Sequence, residues 1–468
     1  MKIRAILVFV LAFYFVRSQT LNYYFGNLHS HTGYSDGNKD STTTGVSKPA
    51  GSYAFAKLSQ HFDFLGISEH NHYSSNNNPG MVRTSYSLGL AEATAANTGT
   101  FLCLYGMEYG VSSTNNGHVV IYGFNQLIGW ETTGVPGNAP NYDIYNSKTV
   151  YDSLWRLVKN NPNAFATLAH PSYTDFNALA SGTYNAMYDS AIVGVPFRNG
   201  MALTPTADYT TYPSSDFFGY YRILLNRGYH LGMSYDHDNH YLNFGRGNAG
   251  RLVIMAPSLT EANLYGAMKK MHFYGSDDWN AKIDFKIGTN IMGDTMSGNS
   301  APLISVIHND GDGELADSIK IWSGISGSGN DPTIVAIVKQ SNTLMYNDNT
   351  VTTGNTHYFL AEIVQADGNR IITSPIWFKG KSPIGLKENK KDLSFIMFPN
   401  PTHSKLNIST GICDNYSVEI IDITGKKIFE QNYNEPNITI STSQFEKGFY
   451  LIKVKNGSFS KTERLIIE

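Results

Sequence analysis

Cysteine is scarce in this chain: Cys103 and Cys413 are the two in 468 residues. A pair so far apart cannot staple a small scaffold, so there is no disulfide framework and burial or metals must hold the fold. Charge is sparse as well, at 16% of residues with a net charge of −3. Proteins that bind nucleic acid or other polyanions concentrate positive charge on one face, and that footprint is missing. Long apolar runs are missing too once residue 19 is passed. Since a bilayer-spanning helix needs about 20 consecutive apolar residues, no transmembrane segment is expected in the mature chain.

What is present is ample core material, with 41% hydrophobic residues, and a length that calls for two to four domains. Met1 to about Gln19 reads as a secretory signal, with Lys2 and Arg4 ahead of the apolar segment Ile6 to Val16. From Tyr23 to about Met271, short β-rich runs alternate with amphipathic stretches. Strands are expected at Tyr23–Leu28, Phe62–Ser68, Phe101–Met107, His118–Tyr122, Phe165–Ala169, Tyr229–Ser234 and Leu252–Met255. Helices are expected at Gly51–Gln60, Thr84–Asn97, Lys148–Asn160, Phe217–Asn226 and Leu259–Met271, the last opening on the capping-box pattern Ser258-x-x-Glu261. Such alternation predicts an α/β domain with a largely parallel sheet. From about Lys282 the pattern becomes strands separated by Gly, Asn and Asp turns, as in a β-sandwich, and Lys379 to Lys391 reads as a linker.

Chemistry gathers where these strands end. His29 and His31 follow the first strand; on extended backbone, residues i and i+2 point the same way, so both imidazoles can face one cation. Glu69, His70 and His72 follow the second strand, and Glu108 the third. His118 opens the fourth, His170 ends the fifth, and Asp236, Asp238 and His240 follow the sixth. Carboxyl ends of strands are where an α/β barrel builds its active site. Imidazole with carboxylate suits Zn²⁺, Mn²⁺ or Fe²⁺, and the candidates outnumber the ligands that one tetrahedral ion takes. At least two ions are therefore expected, with a carboxylate such as Glu108 bridging them. Beyond the last motif, Arg246 and Arg251 are candidates for gripping an anionic substrate group. His61, His230 and His272 lack partners in sequence and read as ordinary surface or core histidines.

Two resemblances sharpen these expectations. The motifs N-L-H-S-H-T-G-Y-S-D-G at Asn27, D-F-L-G-I-S-E-H-N-H at Asp63, G-M-E-Y-G around Glu108, G-H-V-V-I-Y-G at Gly117, L-A-H-P at Leu168 and S-Y-D-H-D-N-H at Ser234 resemble the PHP (polymerase and histidinol phosphatase) superfamily, particularly its carbaryl-hydrolase-like branch. That likeness spans residues 21–293 and implies a distorted seven-stranded (βα) PHP-type barrel with a two- or three-metal site. It implies His29, His31, Glu108 and Asp238 on a first ion, Glu108, His118 and His170 on a second, and Asp36, His70 and His240 on a third. Asp36 reads equally as a turn residue, both Asp236-His237-Asp238 and Asp238-Asn239-His240 fit the last motif, and Glu69 stands where the family has Asp, as a residue that orients an imidazole. His72 and His237 are then second-rank or substrate-facing. The second resemblance lies in Asp392 to Glu468: F-P-N-P at Phe398, D-I-T-G-K at Asp422 and G-F-Y-L-I-K-V at Gly448 are similar to the C-terminal sorting domain of the type IX secretion system. It implies Sec export, passage across the outer membrane of a Gram-negative bacterium, the type IX machinery as partner, and a secreted or surface-attached product.

The expected organisation is thus a signal peptide at 1–19, an α/β metallohydrolase domain at 20–300, a β-sandwich-like domain at 301–380, a linker at 381–391 and an all-β sorting domain at 392–468. The expected activity is hydrolysis of a small-molecule or polymer ester. It is foremost a phosphoesterase reaction by a metal-activated hydroxide, with Glu108, His170, Asp238 and Arg246 in catalytic roles and two or three divalent ions (Zn, Mn or Fe) as cofactors. Hydrolysis of a carboxylic or carbamate ester is the alternative, and a non-catalytic surface binding protein with a structural metal the second alternative.

Overall fold

Short runs rich in Val, Ile, Leu, Tyr and Phe, cut by Gly and Asn turns, form strands throughout, and amphipathic runs form helices wherever sequence periodicity expects them. In this computed structural model, residues 20–111, 116–132, 140–172, 174–381, 395–410, 415–457 and 459–468 are described. The signal-peptide reading, Cys413 and nearly all of the linker lie outside those residues. Two compact units emerge, Met1–Pro383 and Ile384–Glu468.

In the first unit the site-bearing strands are β1 (Asn22–Asn27), β2 (Phe64–His70), β3 (Leu102–Tyr109), β4 (Val119–Tyr122), β5 (Phe165–Leu168), β6 (Ile192–Asn199), β7 (Gly232–Asp236), β8 (Arg251–Ala256) and β9 (Phe273–Ser276). Further strands follow: β10 (Thr295–Gly298), β11 (Ala316–Ile325), β12 (Thr356–Gln365), β13 (Arg370–Thr373) and β14 (Ile376–Gly380). Their hydrogen-bonded order is β10-β14-β12-β13-β9-β8-β1-β2-β3-β4-β5-β6-β7. The principal helices are α1 (Pro49–Ala56), α2 (Arg83–Ala96), α3 (Tyr151–Asn160), α4 (Phe218–Arg227) and α5 (Glu261–Lys269).

The expected seven-stranded (βα) barrel is not what forms. Among the described residues strand makes up 40% and helix 15%, and the sheet is mixed. β4 runs antiparallel to β3 and to β5, and β8 antiparallel to β1 and to β9. An antiparallel neighbour needs no helical crossover, so the repeating βα unit breaks at those points. β9 then pairs with β13, and the hydrogen bonding runs on into the later strands instead of returning to close a seven-stranded ring. β6 carries Gly194 and Pro196, poor strand formers, and was not expected as a strand from its sequence. The capping box at Ser258 also differs: Thr260 caps α5, accepting from the Asn263 amide, while the Ser258 hydroxyl accepts from the Asn263 side chain.

Alternation along the buried strands supplies a core on each side of the sheet. Within β8 every residue is buried; Leu252, Ile254 and Ala256 face the helix-side core, whereas Val253 and Met255 face the core built with Ile283, Phe285, Ile304, Ile319 and Phe359. Among the described residues no helix is long and apolar enough to cross a membrane.

The second unit pairs the strands Ile396–Phe398, Lys405–Ser409 and Asn437–Ser441 in one sheet. A second sheet holds Tyr416–Asp422, Lys427–Tyr433, Gly448–Asn456 and Phe459–Ile467. Leu406, Ile408, Val418, Ile420, Ile452, Val454 and Leu465 form its core. The D-x-x-G-K turn has a physical basis: Asp422 Oδ1 accepts from the Thr424 and Lys426 amides while Gly425 takes the left-handed conformation, at φ 86°.

One buried hydrogen bond couples the sheet to the H-x-H segment. The Tyr122 hydroxyl donates to the Leu28 carbonyl at 2.7 Å, and it lies so close over Gly66 that no Cβ fits there. Tyr122→Phe leaves that carbonyl unpaired in an apolar setting and is expected to cost about 1–3 kcal/mol in urea unfolding. A cost near zero would mean the bond contributes nothing.

Candidate metal centre

The carboxyl end of β1 delivers His29 and His31 with alternate residues turned away, and the Asn27 side chain locks this geometry. Its Oδ1 accepts from the His29 and His237 amides, and its Nδ2 donates to the His29 carbonyl and to Ser30 Oγ. The backbone then pairs the H-x-H segment with the D-N-H segment. Asp238 N donates to His29 O at 2.7 Å, and His31 N to Asn239 O at 2.9 Å. β2 contributes His70, β3 Glu108, the lead into β4 His118, the exit of β5 His170, and the exit of β7 Asp238 and His240. His170 and Asp238 carry positive φ, 27° and 55°. Non-glycine backbone held there costs about 1–3 kcal/mol per residue, a strain that clusters at functional sites.

Three overlapping groups of ligand atoms result: His29, His31, Glu108 and Asp238; His70, Glu108 and His118; and His31, Asp36, His70 and His240. Glu108 is the hub. Its Oε1 lies 3.3 Å from His29 Nε2, 2.9 Å from His118 Nδ1 and 3.2 Å from His170 Nε2, and its Oε2 lies 3.2 Å from His31 Nε2 and 3.1 Å from His70 Nδ1. Asp238 Oδ1 sits 3.3 Å from His29 Nε2 and 3.2 Å from His31 Nε2; Asp36 Oδ2 sits 3.2 Å from His240 Nε2. Two ligand atoms on the edge of a tetrahedron with metal bonds of about 2.0–2.1 Å stand roughly 3.3 Å apart, so these spacings fit a divalent ion.

Hydrogen bonding alone does not satisfy the cluster. Buried and without a hydrogen-bond partner are His29 Nε2, His31 Nδ1, His70 Nδ1, Asp36 Oδ1 and Glu108 Oε2, each of which carries a desolvation cost. Electrostatics point the same way. Burial would raise Glu108, but the imidazoles of His118, His29 and His70 hold it well below the usual carboxylate range. Burial drives His70 well below its ordinary value, whereas in His29 burial is outweighed by the Asp238 and Glu108 carboxylates, which hold it well above. The residues thus offer ionised carboxylates beside imidazole nitrogens, the donor set that zinc, manganese or iron takes.

The sequence alternatives resolve geometrically. Asp236 Oδ2 lies 3.1 Å from His29 Nδ1, on the far side of the ring, where it fixes the tautomer and aims Nε2 at Glu108 and Asp238. Asp238 is the member of the cluster itself. Asp36 lies within the cluster while also accepting from Lys39 Nζ, so its turn position and its approach to the imidazoles coexist. His70 reaches two of the groups, and His170 stands beside the second through Glu108. Glu69 does not orient an imidazole: it accepts from the Thr32 amide at 3.0 Å and from the Thr32 and Ser35 hydroxyls, bracing the loop after His31. Burial pushes its carboxyl up to about 7.

A cavity of about 370 Å³ opens over the cluster, lined by Asp36, Lys39, His70, His72, Asn76–Asn78, Val111 and His118. His72 stacks on Trp130 and meets Asn78 Nδ2 at 3.1 Å, so it faces this cavity. His237 is instead a core residue, its Nε2 at 2.7 Å from the Gly250 carbonyl and its ring against Phe62. Sequence reading missed Asn199, whose Nδ2 donates to Asp238 Oδ2 at 3.0 Å; it ends β6, the strand with no clear signal. His230 pairs with Asp189, His272 with Asp294, and His61 packs on Trp279.

Residues 396–468 match the family described as the secretion system C-terminal sorting domain. The protein is accordingly exported by type IX secretion, to the medium or the cell surface, and the secretion machinery is its partner. No curated protein matches the chain. Among solved structures, chicken CNTN1 FN1–FN3 domains are similar at 12% identity over 39% of this chain, with a TM-score of 0.18; the chain spans 65% of that segment. Clostridium thermocellum CbhA fibronectin(III)-like modules are similar at 13% identity over 39% of this chain and 94% of theirs, with a TM-score of 0.16. Likeness of that size assigns no fold to residues 20–383, and the comparisons do not support the PHP likeness of residues 21–293.

Both arginines are corrected by the geometry. Arg246, expected in a catalytic role, donates to the Leu58 carbonyl and lies over the Phe55 ring at 4.6 Å; it takes no part in the cluster. Arg251 is fully buried and donates to the carbonyls of His61, Asn248, Gly250, Gln60 and Gly245. Its guanidinium stitches loops together because a planar fork can satisfy several carbonyls at once. Arg251→Met is expected to destabilise the first unit by more than about 3 kcal/mol in denaturant unfolding. Any activity that remains per folded molecule is expected to be unchanged; a selective loss of activity at full stability would return Arg251 to the site.

Proposed function

We propose that this exported protein is a metal-dependent hydrolase of ester bonds, with a phosphoester as the leading substrate class. One observation carries the reading: Glu108, buried at 1% exposure, has five imidazoles within 3.3 Å of its two oxygens. His29, His31, Glu108 and Asp238 would hold one divalent ion, Glu108 with His70 and His118 a second, and Asp36, His70 and His240 a third, with His170 at the rim of the second. Bound there, such ions supply Lewis acidity that polarises an ester oxygen and acidifies water. The chain's own residues do the rest. Asp236 and Asn199 fix the orientation of His29 and Asp238, and the His72–Trp130 wall and Asn76–Asn78 shape where the ester sits. His170, the most exposed of the imidazoles around Glu108 at 26% of its side chain, is placed to hand a proton to a leaving group.

A phosphoester is favoured by the ligand set together with Lys39, an ammonium on the cavity lining that can meet a phosphoryl oxygen. The carboxylic or carbamate ester reading draws on a specific observation of its own, that Arg246 and Arg251 leave the cavity without a guanidinium clamp. The two are separated by substrate. Protein stripped with chelator and reloaded with Mn²⁺ or Zn²⁺ is expected to turn over phosphomonoesters or diesters, and Glu108→Gln to reduce that turnover by at least about 10³-fold. Metal-dependent turnover of carboxylic esters alone would move the assignment to the second reading. No metal-dependent turnover of any ester would end both.

A further inference from the structure

The donor groups of the histidine cluster differ in the negative charge they hold. His29, His31, Glu108 and Asp238 include two carboxylates, whereas His31, Asp36, His70 and His240 include Asp36 alone. That third group also shares His31 with the first group and His70 with the second, so Asp36 and His240 are the donors it has to itself. Asp36 has a competitor. Its Oδ2 stands 3.2 Å from His240 Nε2 and 3.2 Å from Lys39 Nζ, while its buried Oδ1 has no hydrogen-bond partner and faces His70 Nε2 at 3.6 Å.

The backbone keeps Lys39 at this spot. Lys39 N donates to the His240 carbonyl at 2.9 Å, which ties residue 39 to the segment that carries the third group's imidazole. Its Nζ donates to Asp36 O as well, at 2.7 Å. The side chain is 35% exposed and lines the cavity over the cluster beside His70, His72 and His118. An ammonium on a flexible four-carbon stem can therefore leave Asp36 for the cavity while its backbone stays in place. An imidazole that binds a metal does so uncharged. With Lys39 on Asp36, a divalent ion entering the third group meets no net negative charge and the ammonium's repulsion besides.

We propose that Lys39 is a charge switch that couples the third ion to an anionic group in the cavity. On Asp36 the ammonium opposes the ion; drawn away by a phosphoryl group, it frees the carboxylate. The switch rests on the phosphoesterase reading of the cluster and adds a reason for substrate choice, since an uncharged carboxylic or carbamate ester cannot draw Lys39 from Asp36. Such coupling is reciprocal: the anion tightens the ion by the factor by which the ion tightens the anion.

Mn²⁺ bound per full chain, counted by equilibrium dialysis and electron paramagnetic resonance, tests this, with methylphosphonate as an anionic probe that has no ester bond to hydrolyse. Wild type is expected to hold two ions tightly and a third more weakly, the third tightening at least about fivefold with methylphosphonate. Lys39→Met is expected to hold the third ion at least about fivefold more tightly than wild type without the anion, and to lose the response to it. Asp36→Asn is expected to lose the third ion and keep the other two. A chain that binds no Mn²⁺ would end the metal-centre reading and the switch together. Two ions bound, with a third that is absent from Lys39→Met or no tighter there than in wild type, would overturn the switch alone. So would a methylphosphonate response that survives in Lys39→Met.

Discussion

The buried carboxylate of Glu108 is the constraint on which the rest of the first unit depends. An ion-sized negative charge taken out of water costs several kcal/mol unless it is compensated, and here the compensation is a shell of imidazoles drawn from four other chain segments. Each segment must therefore end where Glu108 is. β1 and β2 run parallel to β3, so their carboxyl ends arrive together, and the antiparallel β4 enters from the same edge with His118 at its start. The sheet order reads as the solution to that convergence.

Supporting interactions follow from the same demand. An imidazole must present one chosen nitrogen to the cluster, so Asp236 takes the far nitrogen of His29 and Asn27 fixes the backbone beneath it. The loop after His31 would otherwise fray, and Glu69 gathers its amide and hydroxyls. Left-handed backbone at His170 and Asp238 is tolerated because neighbouring hydrogen bonds over-determine it. Arg251 lies outside this circle and belongs to the scaffold.

Much of the cluster could be read from the sequence because its chemistry is local in type. H-x-H on a strand end, a carboxylate after a buried run and D-N-H after another each carry a recognisable donor, and their strand-end positions follow from period-two patterning. The family likeness drawn from those motifs led to a barrel that does not form, since strand pairing is non-local. Nothing in V-V-I-Y at Val119 announces two antiparallel neighbours, and nothing in F-Y-G-S at Phe273 announces a partner a hundred residues on. β6 was hidden by Gly194 and Pro196, and Asn199 with it. The arginines misled for the opposite reason: a guanidinium near a motif in sequence can spend its donors on backbone carbonyls. In the second unit the signals were periodic and turn-defined, and the sorting tail stood out from its residues alone.

As proposed, the imidazole–carboxylate cluster around Glu108 holds more than one metal ion. Metal content of the purified mature protein, with X-ray absorption at the bound metal's edge, tests it most directly. At least two equivalents of zinc, manganese or iron per chain are expected in a nitrogen and oxygen shell, falling in Glu108→Gln. A chain that folds and holds no transition metal, or holds it undiminished in Glu108→Gln, would contradict it.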